Sequence, residues 1–165
     1  MFNLIHKLQI TAPGRAYLAF TKFADDYLFS LLILFMRIWM AQIFWYSGLT
    51  KISSWKSTLY LFEYEYAVPI IPSELAAILA TATELSAPIF LVLGFMTRLV
   101  ALPMLVMVAV IQFTYLDMRE HLYWASFLGV MILRGPGIYS IDCIINHKTK
   151  IYKRNSGWSH LKKPK

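Results

Sequence analysis

Residues 27–49 (YLFSLLILFMRIWMAQIFWYSGL) and 75–96 (LAAILATATELSAPIFLVLGFM) are apolar runs that carry one charge apiece, Arg37 and Glu84. A bilayer core about 30 Å thick takes roughly 20 apolar helical residues to cross, so runs of this length call for a lipid exterior. A third run, residues 99–116, nearly matches them. A fourth, residues 122–133, is shorter, ends at Arg134, and spans only with help from the residues after it. With 58% hydrophobic residues, 15% charged and a mean hydropathy of +0.54, the chain is too apolar for an ordinary soluble domain. Short connections make consecutive spans antiparallel neighbours, so the expected fold is all-α: one membrane four-helix bundle.

Within hydrocarbon an ionisable side chain costs several kcal/mol unless it meets a partner, water or a ligand, which makes Arg37 and Glu84 site candidates. At about 1.5 Å per residue each lies roughly 15 Å from the same membrane surface, so the two can meet, or be neutralised by something lodged between them. On helical spacing Arg37 shares a stripe with Ala41, Phe44 and Gly48, while Glu84 shares one with Ala77, Ala80, Thr81, Ala87 and Pro88. Small residues let a neighbouring backbone approach, so both charges should face the bundle interior. A third inward stripe is His121, Ala125 and Gly129.

The net charge of +7 sits mostly before the first run (Lys7, Arg15, Lys22), at Arg98, and in the tail from Lys148 onward. By the positive-inside rule both termini and the 94–98 turn face the cytoplasm, and anionic lipid rather than nucleic acid explains the tail. One cysteine, Cys143, rules out an internal disulfide or a CxxC redox pair, and four scattered histidines supply no metal-ligand spacing. The chain therefore divides into an interfacial segment 1–26, in which Leu4, Ile5 and Leu8 share a face, a four-span domain 27–147, and a basic tail 148–165. In the outward connection from Thr50 to Ser73, Trp55, Tyr60, Phe62, Tyr64 and Tyr66 suit the interfacial zone, and Ser73 is the expected N-cap of the second span.

After the fourth span comes Gly135-Pro136-Gly137, a helix break, and then Ser140, placed to cap a short terminal helix. Asp142 falls either in a polar pocket near the cytoplasmic face or in solvent at an ordinary helix end. Gln112, alone in the third run, is either a helix-to-helix hydrogen bond or a ligand contact. His121, following Asp117, Arg119 and Glu120, reads as part of a solvated loop, with proton transfer as the alternative. Lys51 and Lys56 either attract an anion to the outer mouth or snorkel at the interface. Trp45, Tyr46, Tyr115, Tyr123 and Trp124 form either an aromatic belt or a slot for a planar ligand.

Arg37, the Gly48-Leu49-Thr50-Lys51-Ile52 ending of the first span, Glu84, the Leu93-Gly94-Phe95-Met96-Thr97-Arg98 turn and the Gly135-Pro136-Gly137-Ile138-Tyr139-Ser140-Ile141-Asp142 ending together resemble the DoxX family over roughly residues 28 to 146. The resemblance implies a four-helix, multi-pass protein of the bacterial inner membrane associated with redox metabolism. Relatives include small subunits of quinone-coupled thiosulfate oxidation and a membrane partner of soluble sulfur-handling and superoxide-detoxifying enzymes. It assigns no catalytic residue.

Two roles for Arg37 and Glu84 follow: a buried ion pair that fixes helix register, or the polar floor for a quinone head group or small anion, to which Arg37 donates and from which Glu84 takes a proton. The expected ligand-binding set is Arg37, Lys51, Glu84, Gln112 and Asp142, for a quinone or a small anion, with quinone the one cofactor suggested and no metal. The chain itself carries no redox centre, so electrons would come through a bound ligand or a partner. The competing reading is a non-catalytic membrane anchor that recruits a soluble oxidoreductase through its basic tail. A transporter of a sulfur or organic anion is a third, which four spans without an internal repeat support little.

Overall fold

A computed structural model describes residues 12–66, 71–114 and 118–147. The expectations for Leu4, Ile5 and Leu8 and for the basic tail from Lys148 fall outside these residues, as do those for Tyr115 and Asp117. Among the described residues the chain is all-helical. Helix α1 (Ala12–Phe23) runs through a π-helical turn (Ala24–Leu28) into α2 (Phe29–Ser53). Short α3 (Trp55–Tyr60) follows with its own π turn (Leu61–Glu65), then α4 (Ser73–Leu93), α5 (Thr97–Thr114) and α6 (Arg119–Arg134). Residues 141–147 form a last helix, α7.

The first apolar run is thus the C-terminal part of one 42-residue helix that begins at Ala12. No glycine or proline lies between Arg15 and Gly48 to stop it, and the π turn absorbs the change of register. Ser73 does not cap α4. It is the first helical residue, Pro72 holds the cap position, and no side chain closes the turn.

Helix α2 packs chiefly on α4, and α5 on α6. Gly48 permits the first contact: a Cβ there would lie 2.8 Å from Leu85 Cδ2 and 3.1 Å from Glu84 Cβ. The stripe Arg37, Ala41, Phe44 and Gly48 is buried, as are Ala77, Thr81, Glu84, Ala87 and Pro88. In the third stripe His121 is buried, but Gly129 faces open space, and Leu128 and Met131 fill the core instead. Met40, Phe44, Leu91, Met104, Leu128 and Met131 form the main core, while Phe62 with Ala76 and Ala77 makes a smaller one under the α3 turn.

Ala12–Ser53 and Ser73–Leu93 are long and apolar enough to cross a membrane, and Thr97–Phe113 is a shorter apolar helix. Only 33% and 39% of the most apolar windows of the two long helices are buried, so most of their surface faces outward. Leu31, Phe35, Trp39, Ile78 and Ile89 are each about half exposed (47–55%). Apolar surface on this scale is stable when acyl chains cover it.

Candidate functional site

Arg37 is completely buried, and it donates to four backbone carbonyls. Nε reaches Leu91 O (2.7 Å), Nη2 reaches Val92 O (2.6 Å), and Nη1 serves Pro136 O (3.1 Å) and Tyr139 O (2.7 Å). Leu91 and Val92 lie in the last turn of α4, where carbonyls run short of helical partners and the dipole favours a cation; Leu91 O also accepts from Gly94 N–H (3.1 Å). Pro136 and Tyr139 belong to the non-helical segment between α6 and α7, where Gly135 and Gly137 take positive φ (85° and 76°). The guanidinium therefore fastens α2, the end of α4 and the segment after α6 together.

Gly94 makes room for it. With φ +66° it ends α4, Phe95 N–H closes the turn on Phe90 O, and a Cβ at Gly94 would lie 2.5 Å from Arg37 Nη2 and from Ser140 Cβ. Ser140 caps α7, its Oγ accepting from Cys143 N–H (3.1 Å) and donating to Gly137 O (2.7 Å).

Arg37 does not pair with Glu84, although the depth count allows it. A helical side chain leans toward its own N-terminus, and α2 and α4 run antiparallel, so Arg37 leans toward the Gly94 end and Glu84 away from it. Glu84 instead meets Lys51, from the last turn of α2. Lys51 Nζ donates to Glu84 Oε1 (2.8 Å) and to Ser47 Oγ (3.0 Å), and Ser47 Oγ also donates to Glu84 Oε1 (3.1 Å). The side chains are 14% and 3% exposed, so this is a buried pair.

Glu84 Oε2 is buried and has no hydrogen-bond partner. Such an atom calls for an explanation, because a buried carboxylate oxygen forfeits its hydration. Glu84 and Lys51 line a cavity of about 400 Å3 whose remaining walls are mostly apolar: Phe62 and Tyr66 from the α3 turn, Leu79, Ala80 and Thr83 from α4, and Pro103, Val106, Met107 and Ile111 from α5. One ion pair in an apolar chamber of this size is the usual form of a small-molecule site.

The other site candidates lie elsewhere. Asp142 is the N-terminal cap of α5, Oδ1 accepting from Met96 N–H (2.9 Å) and Oδ2 from Thr97 N–H (3.2 Å). It also borders a more polar cavity of about 660 Å3 with Arg98, Arg134 and Asn146. Gln112 Oε1 lies 2.8 Å from His121 Nδ1, a bond between α5 and α6. His121 is 5% exposed and packs edge-on against Trp124, so it is a buried strut and not part of a solvated loop. Trp45, Tyr46 and Tyr123 face outward. Sequence reasoning missed Ser47. Its spacing of one helical turn before Lys51 is the signal that could have found it.

An all-helical bundle with a largely apolar exterior and a buried ion pair at an apolar cavity is the architecture of an integral membrane protein. The chain matches the DoxX family over residues 32–116, 85 of its 165 residues, and belongs to that family. No curated protein and no solved structure matches it.

Proposed function

We propose that this DoxX protein binds a lipid-soluble quinone, with its head at the Lys51–Glu84 pair, and serves redox metabolism of the bacterial cytoplasmic membrane. Glu84, which lines the cavity and whose buried Oε2 has no hydrogen-bond partner, carries the reading. Lys51 commits two of its three N–H donors to Ser47 and Glu84, leaving one for a carbonyl oxygen. Oε2 complements it as an acceptor for a hydroxyl. A donor beside an acceptor suits a head group that alternates between carbonyl and hydroxyl, and the apolar walls suit its ring.

When bound, a quinone supplies two-electron, two-proton carrier chemistry. The protein holds the head away from water, donates from Lys51 Nζ, and offers Glu84 Oε2 to a hydroxyl proton. Arg37, Gln112 and Asp142, whose polar groups are engaged with the fold, stand outside this site and hold its frame.

The proposed topology has four spans, with both termini and the Gly94 turn cytoplasmic. Helix α6, 16 residues long, rises about 24 Å and falls short of the bilayer core, so the 135–147 segment completes the fourth crossing. The test is titration of purified protein with a tail-less benzoquinone, followed by an ultraviolet redox-difference spectrum of the bound fraction. Wild type should bind. Glu84→Gln and Lys51→Met should each weaken binding about tenfold or more, the loss expected for one charge-assisted hydrogen bond. Equal binding by all three proteins would refute the site.

A further inference from the structure

The Lys51–Glu84 cavity has a neighbour along the same two helices. Thr83 and Pro103 also border a second crevice of about 290 Å3 between α4 and α5, which runs toward the Gly94 turn past Ser86, Phe90, Leu99 and Val100. Thr83 and Pro103 stand between the two hollows, which adjoin along the α4–α5 seam, and we take the two together as one path. Its hydroxyls are already used within α4: Thr83 Oγ1 donates to Leu79 O (2.8 Å) and Ser86 Oγ to Ala82 O (2.7 Å). That leaves a hydrocarbon-like lining. The path is also open at the side, for Leu79 and Val106 on the rim of the first hollow are 51% and 61% exposed, and Leu99 in the second is 58% exposed.

We infer that the crevice holds the hydrocarbon tail of the same molecule whose head meets Lys51 and Glu84, and that this molecule enters sideways from the lipid between α4 and α5. The inference rests on the proposed ligand site and adds the ligand's shape and its route. A polar end followed by an apolar extension is what the path accommodates, because the polar atoms stand at one end and the rest offers dispersion contacts alone. A water-soluble anion would gain nothing from the second hollow. Pairing of α2 with α4 and of α5 with α6 leaves the α4–α5 seam as the one that the path follows.

The experiment uses the full chain in phosphatidylcholine nanodiscs and two probes with one benzoquinone head, one tail-less and one bearing a prenyl chain with a terminal photoreactive group. Ser86→Trp places an indole in the crevice without touching the ion pair. It should weaken the tailed probe about tenfold while the tail-less probe binds as to wild type. On wild type, illumination should label the peptide containing Phe90 or Leu99. Unchanged affinity of Ser86→Trp for the tailed probe, or labelling spread evenly over lipid-facing residues such as Leu31 and Phe35, would overturn the tail assignment while leaving the head site standing. Should Ser86→Trp weaken both probes, the labelling position on wild type decides. Failure of the tail-less probe to bind wild type would instead remove the ligand site itself.

Discussion

Arg37 holds more of the fold than any other single side chain described. Four charge-assisted bonds to carbonyls, each worth about 1.5–3 kcal/mol, sit where no water competes. Arg37→Leu takes the guanidinium donors from those carbonyls, of which Leu91 O keeps Gly94 N–H, and the unfolding free energy should fall by about 3–5 kcal/mol, as when one partner of a buried charged network is removed. Arg37→Lys keeps the charge but not the planar fork, and should recover part of that loss. Thermal unfolding in detergent checks the order wild type, Lys, Leu; a Leu variant as stable as wild type would contradict it. That Arg37 faces inward was legible from its stripe with Ala41, Phe44 and Gly48. Its partners were not, because carbonyls are present at every position and sequence spacing does not mark those that a helix end leaves free. The pairing of Glu84 with Lys51 was hidden for another reason: counting residues gives the depth of a Cα, whereas the two side chains lean in opposite directions from antiparallel helices.

Among the elements, the third and fourth runs show best what pattern reasoning reaches. Expected at 99–116 and 122–133, they form α5 (Thr97–Thr114) and α6 (Arg119–Arg134), because apolar content fixes a helix's centre and leaves its ends to capping. The cap of α5 comes from 45 residues away, where Asp142 holds Met96 and Thr97 N–H, and no local pattern announces it. Asp142→Ala should cost about 1 kcal/mol, typical for the loss of a capping side chain, and should release the first turn of α5. Amide hydrogen exchange at Met96 and Thr97 should speed up about fivefold while the middle of α4 keeps its protection; unchanged exchange would show that the carboxylate is no cap. The joining of α1 to α2 went unforeseen because the apolar run begins at Tyr27, whereas a π turn at Ala24–Leu28 carries the helix across that boundary.

For the whole molecule, the charges sort into two layers. Arg37 and the segments around Gly94 and Gly135 lock one end of the bundle, and Lys51 with Ser47 and Glu84 lies farther along α2 toward its other end, beside the only described cavity that combines a buried ion pair with apolar walls. This separation gives the two layers different expected phenotypes: loss of assembly at Arg37, loss of ligand at Glu84. Composition and run length sufficed for the class of fold, and the motif order for the family. The cavity required the tertiary approach of the α3 turn, α4 and α5. The most direct measurement is native mass spectrometry of wild type and Glu84→Gln released from membranes in mild detergent. The account predicts a redox-active isoprenoid lipid on wild type, absent from a Glu84→Gln protein that still unfolds cooperatively, at a lower midpoint because Lys51 loses its counter-charge. The same occupancy on both proteins, or no such lipid on wild type, would contradict it.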